Sequence, residues 1–369
     1  MSVAGVVLPS HGGQLRAIAR QFGLPQEKLI DFSASISPYP PPEDLLDRLR
    51  NFLSDAQFLS QYPDLENDDL KDAISTYAAV PKQSIAVANG MMPLFDAALR
   101  SLRLKRCLVI EPAFSGYQRT LRAAGVEAIG WSLAAKDEFS ISVPPLLESI
   151  AREQCDSVLL ANPHSPSGVL TQRDTLQDLC RQAAQSAVTV LLDEAFIDFE
   201  PEASLCPMIE QFDNLVVFRS LTKFFAIPAL RVGYAVTSAA NAESISKFTP
   251  EWPISSFAAL AAVELMGCID HQRRVRAQNI AERKALLKFV RQLALTIFPG
   301  RANYLLLRMR DEPTGIAAWQ SLIVNHGVVL RCCQNFAGLD ASYLRFAIRS
   351  REENTILCRA FADVLVQPL

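Results

Sequence analysis

Histidine is scarce in this chain, with four in 369 residues, and none of the eight cysteines falls in a Cys-x-x-Cys pair. A structural zinc centre wants several Cys or His ligands at short regular spacing, so no metal site is expected. Most cysteines sit inside apolar runs such as CLVIEP and DLCRQA, which predicts buried free thiols in a reducing compartment. Neither sign of charge dominates: the net charge is −3 and the basic residues are scattered. Nucleic acid is therefore not an expected partner, because binding a phosphate backbone requires a basic stripe. Long apolar runs are missing too. The longest, FAALAAVELMGCI from Phe257, covers about 13 residues and contains Glu264, too short to cross a bilayer. MSVAGVVLPS at the N-terminus has no basic n-region and no long apolar h-region, so it does not read as a signal peptide. No internal repeat and no low-complexity segment is visible. A soluble, cytoplasmic protein without a membrane partner is expected.

Half of the residues are hydrophobic, enough for one large domain and a smaller one. The middle of the chain alternates short apolar runs with helical stretches. SIAVANG (84–90), CLVIEP (107–112), SVLLANP (157–163), VTVLLDEAF (188–196), NLVVFRS (214–220) and RVGYAV (231–236) are strand candidates. They are apolar throughout rather than alternating, which marks strands covered on both faces, hence a mostly parallel sheet between helices. Several end in a polar or small group: Asn89-Gly90, Glu111, Asn162, Asp193, Ser220. Ligands of open α/β sheets bind at those carboxyl ends. After residue 255 the pattern is helical with a solvated basic face, then strand, helix, strand, strand and helix, which describes a small α+β domain. The expected division is an N-terminal arm (1–44) packed with the small domain, a large domain (45–254) and a small C-terminal domain (255–369).

SLTKFFAIPALRVGY (220–234) places Lys223 among hydroxyls and apolar residues, with Arg231 eight positions later. A lysine amine is catalytically useful when it bonds covalently to a carbonyl. Asp193 in LLDEAF could be its plain ion-pair partner. Ser220, Thr222 and Arg231, however, together describe a phosphate cup, and Gly90 at a helix start adds free backbone N–H groups. An aldehyde for Lys223, a ring nitrogen for Asp193 and a phosphate for the cup converge on pyridoxal 5′-phosphate, whose protonated ring is an electron sink.

These residues resemble the fold-type I pyridoxal-phosphate enzymes, the aspartate aminotransferase superfamily, over roughly residues 11–350. The resemblance implies an α/β fold with a mostly parallel seven-stranded sheet plus a smaller α+β domain. It implies that Asn89 and Gly90 form the turn under the cofactor phosphate, with Met91 contributing backbone. Phe114 in EPAFSGY would stack on the ring. Asp193 would pair with the ring nitrogen, and Ser220, Thr222, Lys223 and Arg231 would form the lysine loop. Tyr62 in QYPD would reach the cofactor phosphate of a partner subunit, implying a homodimer with shared sites. The family's asparagine before Pro-x-Gly holds the ring hydroxyl. In ANPHSPSG, Ser165 stands at that place and Asn162 lies three residues earlier, leaving two candidates. The tyrosine often found after Asp-Glu-Ala is Phe196 here.

Arg331 in VVLRCC and Arg345 in YLRFAI resemble the phosphate and carboxylate arginines of the histidinol-phosphate aminotransferase branch. The opening SHGGQLRAIARQFGLPQEKLIDFSASISP, together with DEAFIDF, is similar to the L-threonine-O-3-phosphate decarboxylases of cobalamin biosynthesis. That resemblance implies a phosphorylated amino acid as substrate, His11 on its phosphate, and Ser35 near its carboxylate, where Ser35 and Ser37 replace two asparagines of the family loop. Decarboxylation and transamination differ in which bond to Cα stands perpendicular to the ring. The resemblance favours loss of carbon dioxide, giving (R)-1-amino-2-propanol O-2-phosphate. The alternatives are an aminotransferase for histidinol phosphate or a similar compound, and a non-catalytic cofactor-binding relative.

Overall fold

The structure is a computed structural model that describes residues 7–293 and 295–365. Residues 1–6, part of the segment read above for a signal peptide, lie outside the described residues.

Seven strands form one sheet in the order Ile85–Ala88, Gly233–Val236, Leu215–Ser220, Thr189–Asp193, Ser157–Ala161, Arg106–Glu111, Glu127–Ser132. Only Gly233–Val236 runs antiparallel to its neighbours; the remaining pairs are parallel. Six strands match the apolar runs picked out in the sequence. The seventh, Glu127–Ser132, is an edge strand with exposed and half-buried side chains, so it carries no apolar run to reveal it.

Strand parity builds two cores from one sheet. Leu108, Val158, Leu160, Val190, Leu192 and Val217 face one helical layer. Cys107, Val109, Leu159, Leu191, Val216 and Phe218 face the other, with Phe95, Tyr117 and Leu121 packed on them. The period-2 alternation of side chains sends every second residue to each face. At the carboxyl ends the alternation continues with polar groups. Ser220 follows the row of Val216 and Phe218, while Arg219 follows that of Leu215 and Val217.

The third core joins the two ends of the chain. Ile18, Ala19, Leu29 and Phe32 pack with Leu305, Trp319, Leu344, Phe346 and Phe361. Ile30–Asp31 pairs parallel with Val328–Val329. A second, four-stranded sheet runs Arg331–Cys332, Tyr343–Ala347, Tyr304–Arg308, Thr296–Ile297. The helix Ser256–Gly267 packs instead on Asp68–Ala78 and shares the large-sheet core, and the long helix Ile269–Gln292 leads from it to the small sheet.

Candidate active site

The carboxyl ends of Thr189–Asp193, Leu215–Ser220 and Ser157–Ala161 open into a cavity of about 490 Å³, within the size range of small-molecule sites. Its floor comes from the large sheet: Asp193, Ser220, Thr222, Lys223, Met91, Phe114 and Ser165. Its rim comes from the arm and the small sheet: His11, Ser35, Arg331 and Arg345. Residues spread over most of the chain length therefore meet in one space.

Lys223 lies on a single helical turn, Leu221–Phe224, directly after the strand. Its Nζ donates to Thr222 Oγ1 at 2.9 Å and sits 6.0 Å from the centre of the Phe196 ring. Burial pulls its pKa down to about 8, against the attraction of Asp193 and with the help of Arg231 and Arg345. An amine in that state is partly neutral near pH 7 and can attack a carbonyl. The hydroxyls of Ser220 and Thr222 are 2.7 Å apart.

Asp193 is 8% exposed. One carboxylate oxygen accepts from the backbone N–H of Ala195 at 2.7 Å, and the other accepts from the Tyr117 hydroxyl. Burial raises its pKa, while these two hydrogen bonds and Lys223 pull it back. Glu194, the next residue, faces away into a closed network. Its carboxylate accepts from Arg219 (3.3 Å), Ser204 (2.6 Å) and Leu205 N–H (2.8 Å), and Arg219 also bonds Asp198. This buried cluster pins the two strand ends that carry Asp193 and Ser220.

Gly90 precedes the helix Met91–Ser101 at φ 86°. That φ favours glycine, and a Cβ there would lie 2.7 Å from Arg231 Nη2 and push the guanidinium away from the helix start. Gly12 serves a similar purpose in the arm. A Cβ would meet Ser33 O at 2.2 Å, and this close approach carries His11 to the cavity, 5.9 Å from the Phe114 ring.

At the rim, Arg331 and Arg345 are directly opposite on antiparallel strands, a costly arrangement for like charges unless an anion lies between or beside them. Among the described residues, neither has a carboxylate partner within salt-bridge distance; both are missing from the ion pairs that the fold forms elsewhere. Arg331 is 4% exposed and donates to Pro9 O (2.8 Å), Ser10 O (2.6 Å), Cys332 O and Asn335 Oδ1. Arg345 reaches Ser165 Oγ and Ser33 O at 3.5 Å each and lies 4.9 Å over the Tyr304 ring. Its Nε and the Ser35 hydroxyl are buried with no partner. His11 has its pKa lowered by burial, then by Arg331 and Arg119, so the imidazole is disposed to be neutral until an anion arrives.

Four of the expected residues do not line this cavity: Asn162, Asn89, Gly90 and Tyr62. Asn162 is fully buried, but its amide is spent on the backbone of Thr171, accepting from N–H at 2.8 Å and donating to C=O at 3.1 Å. Asn162 thus faces Thr171 and does not line the cavity. Ser165 lines the cavity together with Pro163 of the same loop, held forward because His164 anchors the loop between Ser167 Oγ and Pro112 O. Asn89 does sit in a turn ahead of the helix Met91–Ser101: Gly90 N–H bonds back to Ala88 O at 2.7 Å, which leaves the Asn89 side chain exposed. Tyr62 is 79% exposed, stacked on Trp252 at 4.7 Å, and does not line its own chain's cavity. Conversely, Tyr117 and Phe336 line the cavity, and Tyr304 lies under Arg345, with no signal in the sequence that marks them. Tyr117 lies 76 positions from the carboxylate it binds, and no local pattern encodes that pairing.

A family model for "Aminotransferase class I and II" matches residues 27–361. The threonine-phosphate decarboxylase of Salmonella typhimurium is 33% identical over 360 residues, covering 96% of each chain. The histidinol-phosphate aminotransferase structure from Clostridium acetobutylicum superposes with a TM-score of 0.84 at 28% identity, covering 91% of this chain and 99% of that one. The Sinorhizobium meliloti histidinol-phosphate aminotransferase, in complex with pyridoxal-5′-phosphate, also gives 0.84, at 21% identity, covering 98% and 96%; at that identity it speaks to the fold alone. The expected fold-type I architecture is thus borne out, and the chain belongs to the class I and II aminotransferase family.

Proposed function

We propose that this protein is a pyridoxal-phosphate-dependent lyase that decarboxylates L-threonine O-3-phosphate to (R)-1-amino-2-propanol O-2-phosphate and carbon dioxide, a step serving the nucleotide-loop linker of cobalamin. The single observation that carries the reading is the two-ended cavity: a partly neutral lysine beside a buried carboxylate at the floor, and two arginines without carboxylate partners at the rim. The 33% identity to a protein named threonine-phosphate decarboxylase supports it.

The donor set fits the cofactor. Arg231 seated at Gly90, with the Ser220 and Thr222 hydroxyls, suits a phosphate; Asp193 suits a ring nitrogen, Phe114 a ring face and Ser165 a ring hydroxyl. Pyridoxal phosphate supplies an aldehyde that bonds covalently to amines and a protonated ring that accepts the electron pair of a breaking bond. The rest of the chemistry belongs to the chain. Arg345 holds the substrate carboxylate, with the unpartnered Ser35 hydroxyl beside it. Arg331 and His11 hold the substrate phosphate, the carbonyls of Pro9 and Ser10 giving way to it. Two anchored anions leave the amino acid one orientation, with the carboxylate-bearing bond turned for cleavage. Lys223 returns a proton to the carbon that has lost carbon dioxide.

Incubation of the purified protein with pyridoxal phosphate and threonine phosphate, with no oxo acid present, is expected to release carbon dioxide. Turnover only with 2-oxoglutarate would replace this reading by an aminotransferase.

The same reading includes a homodimer in which Tyr62 reaches the cofactor phosphate of the second copy. Its support is an exposed apolar surface of Leu53, Leu59, Tyr62, Leu65, Phe248 and Trp252. Subunits carrying Lys223→Ala mixed with subunits carrying Tyr62→Phe then regain activity that neither parent shows; a mixture no better than its parents counts against sharing. A division into arm (1–44), large domain (45–254) and small domain (255–369) is part of the proposal, supported for the arm by its pairing with Val328–Val329; the helix Ser256–Gly267, which shares the large-sheet core, counts against the boundary at 254. So is a cytoplasmic location; no helix among the described residues is long and apolar enough to cross a membrane.

A further inference from the structure

Asp193 is a buried carboxylate, and the cation whose charge bears on it, Lys223, is itself partly neutral. A buried carboxylate in that position tends to take up a proton. Two donors oppose this. One, the Ala195 N–H, is backbone and would be present in any sequence. The other is the hydroxyl of Tyr117, a side chain the chain had to select.

The fold holds Tyr117 in place for this contact. It lies in the first turns of Ser115–Ala123, fully buried, with its ring edge-on to Phe95 at 5.7 Å and to Phe114 at 5.6 Å. Asp193 continues the strand row of Leu191, on the face where Tyr117 packs. The phenol therefore cannot turn away without leaving the core. The titratable groups near Asp193 are Tyr117, the Lys223 amine and the Tyr304 hydroxyl. Phenylalanine would fill the same space, so packing alone does not explain a tyrosine.

We propose that Tyr117 is a positioning residue that acts through Asp193: its hydroxyl fixes the carboxylate in one orientation and keeps it charged for the cofactor's ring nitrogen. The inference rests on the cofactor assignment above and adds a residue to it. The sign follows from the donor's role. Affinity for a protonated ring nitrogen is present above the Asp193 pKa and is lost as pH falls through it. Loss of the Tyr117 donor raises that pKa, so the loss begins at higher pH.

The test is equilibrium binding of pyridoxal phosphate to apoprotein between pH 5 and pH 9, read by cofactor absorption and needing no turnover. Tyr117→Phe is expected to weaken binding about tenfold near neutral pH and to move the acid limb up by about one pH unit. In an Asp193→Ala background the same substitution is expected to change affinity less than about twofold, because its target is gone. Incorporation of 3-fluorotyrosine at position 117, a stronger donor, moves the limb the opposite way and guards against a poorly folded Phe variant. An unmoved limb, or an equal loss in both backgrounds, overturns the inference and leaves the cofactor assignment standing. Wild-type protein that takes up no pyridoxal phosphate overturns both.

Discussion

At the floor of the cavity, Asp193 takes its hydrogen bonds from Ala195 and Tyr117, both in the large-sheet layer. At the rim, Arg331 donates two of its own to the carbonyls of Pro9 and Ser10, 322 and 321 positions away. The floor is set by strand ends already locked by a sheet and by the Glu194–Arg219–Asp198 cluster. The rim is assembled from an arm and a small sheet that meet only in the folded chain. One end is preorganised for an obligatory group; the other holds two cations beside carbonyl oxygens that an incoming anion can displace. On the proposed reading this difference separates cofactor binding from substrate binding, and substitutions at the two ends should fail in different ways.

The largest effect is expected at the floor. Lys223→Ala should abolish the visible colour of the bound cofactor and reduce turnover to background, measured by absorption and carbon dioxide release. The same residue sets a pH dependence. Its neutral amine is the reactive form, and its pKa is lowered to about 8. The initial rate of cofactor uptake by apoprotein, set by the neutral amine, should rise with pH and level off above about 8. A rise continuing toward pH 10, as for an ordinary lysine, would show that burial does not act as described.

At the rim, Arg345→Ala should lower kcat/KM by about 10- to 100-fold, from loss of a charged hydrogen bond worth about 1.5–3 kcal/mol, with cofactor affinity unchanged. Arg331→Ala should cost about tenfold, concentrated in KM for phosphorylated substrate. Equal losses of cofactor and substrate affinity in either variant would erase the distinction between the two ends. The smallest functional effect is expected at Asn162. Asn162→Ala should lower thermal stability, by about 1–3 kcal/mol for unpaired buried groups at Thr171, without altering the cofactor spectrum. Ser165→Ala should do the reverse.

The same contrast explains what could be read from the sequence. Lys223, Arg231, Ser220 and Asp193 sit at strand ends in short apolar runs, so local pattern and chemistry find them together. Six of seven large-sheet strands were visible for the same reason; Glu127–Ser132 was hidden because an edge strand needs no apolar face. His11, Arg331 and Arg345 came from family resemblance, since no local physics joins residue 11 to residue 331. The choice between Asn162 and Ser165 depended on a cross-loop pairing with Thr171, and Tyr117 on a contact between a helix and a distant strand. Both are tertiary facts with no short-range signature.

The most direct test of the central claim, that this cavity breaks the bond to the carboxylate and spares the Cα–H bond, is turnover of threonine phosphate in deuterated water followed by NMR of the amine product. The account predicts one deuteron at the carbon that bore the carboxylate, the original Cα hydrogen retained, and carbon dioxide released in equal amount. Recovered substrate that has exchanged its Cα hydrogen without losing carbon dioxide would contradict it.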